Sequence, residues 1–383
     1  CWCPYRTEAC HSQPWAMTFL AACSLLVVGG AALRVHLPNE TDQSVSAATQ
    51  GQVQEDPPIE WERIIKNARR ARKSVAPSNM TSPFVLHMHL NWGINYKSAL
   101  WLLEETEICS SRNFMLCAVV SDSWARFPKW TSPFSALRPS ATPRAPVKLV
   151  DCPANRDLVF WQFHGSLMYV CFAMTLQIAK QVGAEGVLVL ADDSVVLVPW
   201  RSTIMPYLQT LGTTVMPFGG TDPDEKIDMI DPVPEFWMKR NGSLSNFSKS
   251  LEILSPTQKS VLGWNSTSHP VEKALADVMY IPTRQADEFQ KYSDNCFKYR
   301  VFEEWCLGTV AKLLSGNESW LPRFPMQGRR IRWKERGHNS YMSIVNEELQ
   351  KGEVTFVHPF KVSEKFPDNR AKVKELYREV FGS

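Results

Sequence analysis

The sequence lacks the patterns that identify several common classes of protein. It has no Cys-x-x-Cys pair and no zinc-type Cys/His spacing, so we do not expect a structural metal site. There is no internal repeat, and a net charge of +3 over 383 residues gives no basis for predicting nucleic-acid binding. The Gly-x-Ser-x-Gly turn is also missing, which weighs against a serine hydrolase of the α/β type. What remains is ordinary globular composition, with 44% hydrophobic and 21% charged residues.

One long uncharged run lies near the start of the chain, at residues 15–33 (WAMTFLAACSLLVVGGAAL). Nineteen residues at about 1.5 Å each nearly span a hydrocarbon core of about 30 Å, so we expect a signal anchor. A cleaved signal peptide is the alternative, because small residues that would suit cleavage lie within the run. We therefore predict a cytosolic tail at 1–14, a transmembrane anchor at 15–33, and a stem with a linker helix at 34–75.

Signals for glycosylation and for disulfide bonds follow the apolar run. Six Asn-x-Ser/Thr sequons occur, all of them after residue 33, which predicts a type II glycoprotein whose C-terminal part is lumenal or extracellular. Their asparagines are Asn39, Asn79, Asn241, Asn246, Asn265 and Asn317. An even number of cysteines beyond the run permits three disulfides, and the pairing is open. These cysteines are Cys109, Cys117, Cys152, Cys171, Cys296 and Cys306.

Strand and helix patterns alternate through the folded region. Short apolar runs predict strands at 84–90, 114–120, 147–150 and 187–190. Helical patterns lie between and after them, at 96–107, 163–182 and 199–211. Such alternation indicates an α/β fold with a mainly parallel sheet flanked by helices. We assign 76–220 to this first half. The second half, 221–383, has predicted strands at 277–282 and 354–361 and helices at 283–291 and 302–314.

Polar residues follow several of the predicted strands. They are Asn91, Asp122, Asp151, Asp192 and Asp193. In parallel sheets, ligands bind beyond the carboxyl ends of the strands. Asp192 and Asp193 follow the buried run VLVL directly, and two adjacent carboxylates repel unless a cation or hydrogen-bond donors hold them. Asp193 is therefore our candidate ligand for a hard divalent cation, Mn²⁺ or Mg²⁺. A solvated turn or a helix cap is the alternative.

The order of tail, anchor, stem and α/β domain with VLVLADD resembles the Golgi glycosyltransferases of the GT-A fold. The segment GSLMYVCFAMTLQIAKQVGAEGVLVLADD is also similar to that of the plant STELLO-like glycosyltransferases. The resemblance implies that the last acid of the triplet, Asp193, binds a metal ion bridging the donor's diphosphate. It further implies that Asn91, Asp122 and Asp192 contribute to the nucleotide-sugar site. Ala191 departs from the acidic pattern at the first position of the triplet.

The same resemblance points to residues in the second half. In inverting members, an acid at a helix start serves as catalytic base, and Glu304 matches it, with Glu303 as the neighbouring candidate. A carboxylate at a helix N-terminus is also favoured by the helix dipole alone. A C-terminal His is a further metal ligand in several families, which implies His358 first and His338 second. Tryptophans suit sugar stacking, and Trp237 and Trp264 are the acceptor candidates, although Trp is also an ordinary core residue.

The sequence thus predicts a lumenal, Golgi-membrane glycosyltransferase, either hexosyl or N-acetylhexosaminyl. We expect it to use a nucleotide sugar, with UDP-sugar the first choice, and to act on a glycan or glycoprotein acceptor. We expect transfer with inversion, retention by front-face attack being the alternative. A non-catalytic binding protein on the same fold is the first rival interpretation, because of Ala191. A metal-dependent hydrolase using Asp192, Asp193 and Ser194 is the second.

Overall fold

The computed structural model describes residues 82–89, 103, 106–121, 143–151, 167–217, 227–228, 243–264, 270–271, 277–316, 325–330, 351, 354–358 and 367–382. All of these residues belong to one compact unit, Gln54–Ser383. The predicted tail, anchor and stem, 1–75, lie outside the described residues. Within the described ranges, no helix has both the length and the apolar character to cross a membrane.

Ten strands and seven helices are defined in the described part of the chain. The strands are β1 (Phe84–His89), β2 (Leu116–Ser121), β3 (Val147–Asp151), β4 (Gly186–Ala191), β5 (Val195–Val196), β6 (Ile227–Asp228), β7 (Pro270–Val271), β8 (Val278–Pro282), β9 (Gly328–Arg330) and β10 (Phe356–His358). The helices are α1 (Tyr169–Gln181), α2 (Met205–Thr210), α3 (Ser243–Ser250), α4 (Pro256–Val261), α5 (Ala286–Lys298), α6 (Glu303–Ser315) and α7 (Pro367–Phe381).

The largest sheet has five strands in the order β3-β2-β1-β4-β8. Its first four strands are all parallel, and β8 alone runs antiparallel, against β4. The predicted α/β fold with a mainly parallel sheet is confirmed. Because β8 runs the opposite way, the start of β8 lies beside the carboxyl end of β4. Ala191 at the end of β4 donates its backbone N–H to the carbonyl of Asp277 at 2.7 Å.

Each face of this sheet is covered by a separate hydrophobic cluster. Successive side chains of a strand point to opposite faces, so β1 and β4 contribute to both clusters. Val187 and Val189 pack with α1, α5 and α6 on one face. Leu188 and Leu190 pack with α7 and with the segment around Trp200 on the other. Burial on both faces is typical of parallel strands and explains the uninterrupted apolar runs in the sequence.

A second, smaller sheet has three strands in the order β5-β10-β9, and its strand β5 directly follows β4 in the chain. Residues 192–194 connect β4 to β5, and β5 pairs antiparallel with β10. Val195 is opposite Val357 in this pairing, and His358 is the last residue of β10. The pairing therefore places the end of β10 beside the connection that follows β4.

Local sequence patterns predicted several helix boundaries well and one badly. Helix α6 spans Glu303–Ser315 where 302–314 was expected, and Gly183, in a left-handed conformation, follows the end of α1. The segment 199–211 is not one regular helix: a π-helical turn, Trp200–Ile204, precedes the short helix α2. Pro206 at the start of α2 has no N–H to donate to the preceding turn, which accounts for the break.

Disulfide bonds form where cysteine counting permitted them. Cys109 pairs with Cys117 and Cys296 pairs with Cys306, with Cα–Cα distances of 6.0 Å and 6.1 Å. Cys171 is also disulfide-bonded. The first bond ties the segment before β2 to the strand itself, and the second closes the connection between α5 and α6. Both bonds join positions close in sequence, so each stabilises a local turn.

Candidate metal and active site

Three side chains from distant parts of the chain converge at the carboxyl edge of the large sheet. Asp193, Asp277 and His358 each present a ligand atom, and these atoms lie within 4.8 Å of one another. The Nδ1 atom of His358 is 3.2 Å from Asp193 Oδ1, and its Nε2 atom is 3.1 Å from Asp277 Oδ2. We call these three residues the metal cluster. Asp193 and His358 are both buried, and Asp277 is partly exposed.

Backbone hydrogen bonds hold the turn that carries Asp193. The N–H of Asp192 donates to the His89 carbonyl at the end of β1, at 2.9 Å. The N–H of Ser194 donates to the Ala191 carbonyl at 3.0 Å, which closes the turn. Asp193 lies between these two anchors and faces the end of β10. The position of its carboxylate therefore depends on β1, β4 and β10 together.

The chemistry of this donor set fits a divalent cation. Two carboxylates brought together with little solvent repel each other unless positive charge lies between them. A protonated imidazole or a metal ion can supply that charge, and His358 contacts both carboxylates. Oxygen ligands suit Mg²⁺, Ca²⁺ and Mn²⁺, and an imidazole nitrogen suits transition metals. A set of two carboxylates and one imidazole therefore fits Mn²⁺ better than Mg²⁺.

The predicted site residues fall into three groups. Asp193 and His358, the predicted metal ligands, are brought together in the metal cluster. Asp192, expected near the nucleotide, is partly exposed in the same turn and is not a member of that group. The third group is not part of the metal cluster and comprises Glu303, Glu304 and Trp264 among the described residues, and Asn91, Asp122, His338 and Trp237 outside them.

Sequence reasoning missed Asp277. The sequence pattern predicts it only as the first residue of a strand, 277–282. Nothing in its immediate sequence distinguishes it from an ordinary acid before a strand. Its place in the metal cluster follows from the antiparallel pairing of β8 with β4, which brings the start of β8 to the carboxyl edge of the sheet.

Glu303 and Glu304 open helix α6, as the sequence predicted. Phe302, the residue before them, is extended with φ −63° and ψ 142°, so the helix begins at Glu303. Burial raises the pKa of the Glu303 carboxyl well above its usual range, and the negative charges of Asp277 and Glu304 add to this shift. The first turn of α6 is thus electrostatically coupled to the metal cluster.

The connection before α6 is held on several sides. Arg300 adopts a positive φ of 52°, and its guanidinium lies 4.2 Å from the centre of the Phe297 ring. The N–H of Val301 donates to the Cys296 carbonyl at 2.9 Å, beside the disulfide to Cys306. We call residues 296–306, with this disulfide and these bonds, the glutamate corner. The geometry of this corner fixes the backbone position from which the Glu303 and Glu304 side chains extend.

Helix α1 contacts the glutamate corner through a tyrosine. The hydroxyl of Tyr169, at the start of α1, donates to the Val301 carbonyl at 3.1 Å. Burial raises the pKa of Tyr169 well above its usual range, and the charge of Glu303 adds to the effect. The hydroxyl therefore remains protonated and keeps donating at physiological pH.

Two buried histidines lie on β1 beneath this edge, and neither was singled out from the sequence. His89 is the partner of Ala191 in the β1–β4 register, and its ring stacks on His87 at a centroid distance of 6.4 Å. The Nδ1 atom of His87 is 2.8 Å from Thr175 Oγ1. Burial, with the charge of His89, lowers the pKa of His87 well below its usual range. His87 is thus a neutral core residue.

Aromatic side chains near the site divide into core and surface. Trp200 is fully buried and contacts Phe84 and Phe114, so it belongs to the core. Trp264, a predicted acceptor residue, is partly exposed and packs edge-on against Phe247 at 6.0 Å. Phe247 in turn contacts Trp305 of α6 at 5.8 Å. A continuous aromatic cluster thus joins Trp264 to the helix that carries the glutamates.

No protein-family model matches this sequence, and no curated protein matches it. Solved structures do match. Core-mannan synthase A from Aspergillus fumigatus, in its Mn/GDP form, is 11% identical with a TM-score of 0.34, over 64% of this chain and 74% of that one. A mannosyltransferase from S. cerevisiae in complex with GDP is 8% identical with a TM-score of 0.36, over 70% and 79%.

Proposed function

We propose that the protein is a metal-dependent glycosyltransferase that moves a sugar from a nucleotide sugar to an acceptor hydroxyl. The observation that carries this proposal is the metal cluster at the carboxyl edge of a parallel sheet. The negative charge of Asp277, a member of this cluster, contributes to the raised pKa of Glu303 at the start of α6. Phosphorylated ligands of α/β proteins bind at such an edge. A cation site and a carboxylate base are the two groups that a metal-dependent, inverting glycosyl transfer uses.

The carboxylate base acts on the acceptor, and the metal cluster acts on the leaving group. The acceptor oxygen attacks the anomeric carbon, the bond from that carbon to the diphosphate oxygen breaks, and the acceptor proton passes to a carboxylate. Glu304 is the proposed base, and Glu303 is the neighbouring candidate. Burial raises the pKa of Glu303, which favours its protonated form over the carboxylate that a base requires. A single displacement of this kind inverts the anomeric configuration.

The metal cluster acts on the leaving group. Asp193, Asp277 and His358 would hold the cation. A bound Mn²⁺ supplies positive charge that stabilises the departing nucleoside diphosphate. Asp192, partly exposed in the same turn, is the proposed partner of the donor's ribose. Trp264 is the proposed stacking surface for the acceptor sugar.

The proposed setting is the Golgi lumen, with a UDP-sugar as donor and a glycan or glycoprotein as acceptor. The anchor predicted at 15–33 and the sequons that follow it support this location. Enzymatic deglycosylation of the protein from animal cells should lower its apparent mass. An unchanged mass would contradict the proposed type II topology.

A panel of nucleotide sugars tests the activity. UDP-linked and GDP-linked sugars are each incubated with the protein and Mn²⁺, with EDTA as the matched control, and release of nucleoside diphosphate is measured. We expect release with one donor only, dependent on Mn²⁺ and increased by an acceptor glycan. Binding of Mn²⁺ and nucleotide without turnover would instead favour the non-catalytic binding protein.

One further arrangement favours a hydrolase as the second candidate. The Ser194 hydroxyl is 3.2 Å from His358 Nδ1, and Asp277 Oδ2 is 3.1 Å from the Nε2 atom of the same ring. A serine, a histidine and an aspartate in line are the components of a nucleophilic triad. Ser194, however, is almost fully buried at 3% exposure, which hinders attack on a substrate. Hydrolysis of simple esters in EDTA, lost in Ser194→Ala, would support this candidate over glycosyl transfer.

A further inference from the structure

The C-terminal helix contacts the turn that carries the metal cluster. The hydroxyl of Tyr377, in α7, donates to the backbone carbonyl of Ser194 at 2.8 Å. Tyr377 is 1% exposed and Ser194 is 3% exposed, so water cannot easily replace either partner. Burial raises the pKa of Tyr377 far above its usual range, so the phenol remains a donor. This bond joins residues 183 positions apart in sequence.

Every polar group of Ser194 has a partner at this position. Its N–H donates to the Ala191 carbonyl at 3.0 Å, its hydroxyl lies 3.2 Å from His358 Nδ1, and its carbonyl accepts from Tyr377. Ser194 directly follows Asp193, so the peptide unit that Tyr377 holds is adjacent to the one that positions the Asp193 carboxylate. A rotation of this unit would move the Asp193 carboxylate and the Ser194 hydroxyl relative to His358.

Helix α7 is itself fixed to the core away from the metal cluster. The Phe381 carbonyl accepts from Asn113 Nδ2, and the Phe381 ring lies 6.4 Å from Phe114 and 6.3 Å from Trp200. Tyr377 packs edge-on against Phe381 at 5.3 Å. The helix therefore holds the Tyr377 hydroxyl at a fixed point, independently of any ligand at the site.

We propose that Tyr377 is a positioning residue for the metal centre, acting through Ser194 on Asp193 and His358. The proposal rests on the metal site described under the proposed function, and it assigns α7 a part in that site. Residues that do not touch the metal but hold its ligands in place typically change metal affinity by about 10- to 100-fold when they are mutated. The hydroxyl of Tyr377 meets this description because it bonds the backbone carbonyl of Ser194, a residue that directly follows Asp193 and whose hydroxyl contacts His358.

The substitution Tyr377→Phe tests the bond while keeping the packing of the ring. It removes the donor and leaves the Ser194 carbonyl buried without it, so the turn can relax. Tyr280→Phe is the matched control, because Tyr280 is equally buried at 1% exposure and its ring packs against Phe84 in the same sheet. Ser194→Ala is the second variant, because it removes the bond to His358 and leaves the packing of α7 unchanged.

The measurement is Mn²⁺ affinity by titration, together with the Tm in EDTA, for the full chain and each variant. We expect Tyr377→Phe to weaken Mn²⁺ binding about tenfold or more, and Tyr280→Phe to leave it unchanged. The Tm in EDTA shows how much stability each Tyr→Phe variant loses in the absence of the metal. The double variant Tyr377→Phe/Ser194→Ala should bind Mn²⁺ about as weakly as the weaker single variant, because both changes act on one chain of contacts.

Three results would overturn the proposal. Wild-type Mn²⁺ affinity in Tyr377→Phe would show that the hydroxyl does not position the site. Equal losses of Mn²⁺ affinity in Tyr377→Phe and Tyr280→Phe would show only general destabilisation. If Tyr377→Phe does not fold, Ser194→Ala decides: wild-type Mn²⁺ affinity in that variant would show that Ser194 does not position the metal ligands. Absence of Mn²⁺ binding by the wild-type protein would instead remove the proposed metal site itself, and this proposal with it.

Discussion

The metal cluster and the glutamate corner are built in opposite ways. The metal cluster takes Asp193, Asp277 and His358 from three segments that strand pairing brings together, and its side chains contact one another at 3.1 to 3.2 Å. The glutamate corner is one continuous stretch, 296–306, closed by a disulfide and by the Val301 to Cys296 backbone bond. In each region a tyrosine hydroxyl bonds a backbone carbonyl, Tyr377 to Ser194 and Tyr169 to Val301.

Because of this difference, the two regions should respond to different kinds of substitution. Local covalent and backbone bonds hold the glutamate corner, so its geometry should survive the loss of any one side chain at the site. The metal cluster has no such closure, and its geometry depends on pairings between β4, β8, β5 and β10. Substitutions in the metal cluster should therefore change ligand binding. Substitutions in the glutamate corner should change turnover or stability and leave cation binding intact.

The largest expected effect separates the two regions by function. Glu304→Gln should lower transfer by about 10²- to 10⁴-fold, the usual contribution of a general base, because an amide cannot take the acceptor proton. Mn²⁺-dependent UDP binding should remain at the wild-type level, since the metal cluster is unchanged. Transfer and nucleotide binding are measured on the same preparation. Full transfer activity in Glu304→Gln would move the role of base to Glu303, with Glu303→Gln as the matched variant.

The second effect is specific to the metal cluster. Asp193→Asn should weaken Mn²⁺-dependent UDP binding by about tenfold or more, because an amide oxygen is a weaker ligand than a carboxylate. Asp277→Asn should do the same, since both acids contact His358. Asp192→Asn is the control and should have a smaller effect, because Asp192 is outside the metal cluster. Titration of Mn²⁺ and UDP measures all three. If Asp193→Asn binds Mn²⁺ and UDP as tightly as the wild type, the three residues form ion pairs and not a metal site.

The third effect concerns the closure of the glutamate corner. Replacing Cys296 and Cys306 together by Ser should reduce the free energy of unfolding by about 2–4 kcal/mol, the typical contribution of a disulfide. Transfer should fall while Mn²⁺ affinity stays constant. The comparison variant removes the bond between Cys109 and Cys117, which should lower stability and leave transfer unchanged. Thermal unfolding, transfer rate and Mn²⁺ affinity are compared. A loss of Mn²⁺ affinity in the first variant would show that the two regions are not independent.

The smallest effect is electrostatic. The pKa of Glu303 is raised in the folded protein, so above its usual value of about 4.5 the unfolded chain releases this proton first. Stability is then lost as the pH rises from about 4.5 to the folded-state pKa. Glu303→Gln has no proton to release, so in EDTA it should have a higher Tm than wild type at neutral pH. Below about pH 4.5 the two Tm values should converge. A Tm difference that is independent of pH would show that Glu303 is not destabilised as a carboxylate.

Local hydrophobic patterns in the sequence predict most of the strands and helices of the first half of the domain. Apolar runs of strand length alternating with helical patterns are enough to predict a mainly parallel sheet, because each element forms from neighbouring residues. The same local reasoning placed Asp193 after a buried strand and Glu303 with Glu304 at a helix start. The irregular turn at Trp200–Ile204 was not predicted, since the apolar pattern there is the same for a regular helix.

Local sequence patterns are therefore enough to predict the helices and strands and the acidic residues at their ends. Which of these ends meet depends on contacts that form only in the folded protein. Asp277 joins the site because β8 runs antiparallel to β4, and His358 joins it because β10 pairs with β5. Tyr377 reaches Ser194 because α7 packs across the same face of the sheet. Pairings of this kind depend on contacts between residues many positions apart, and no local pattern of charge or hydrophobicity records them.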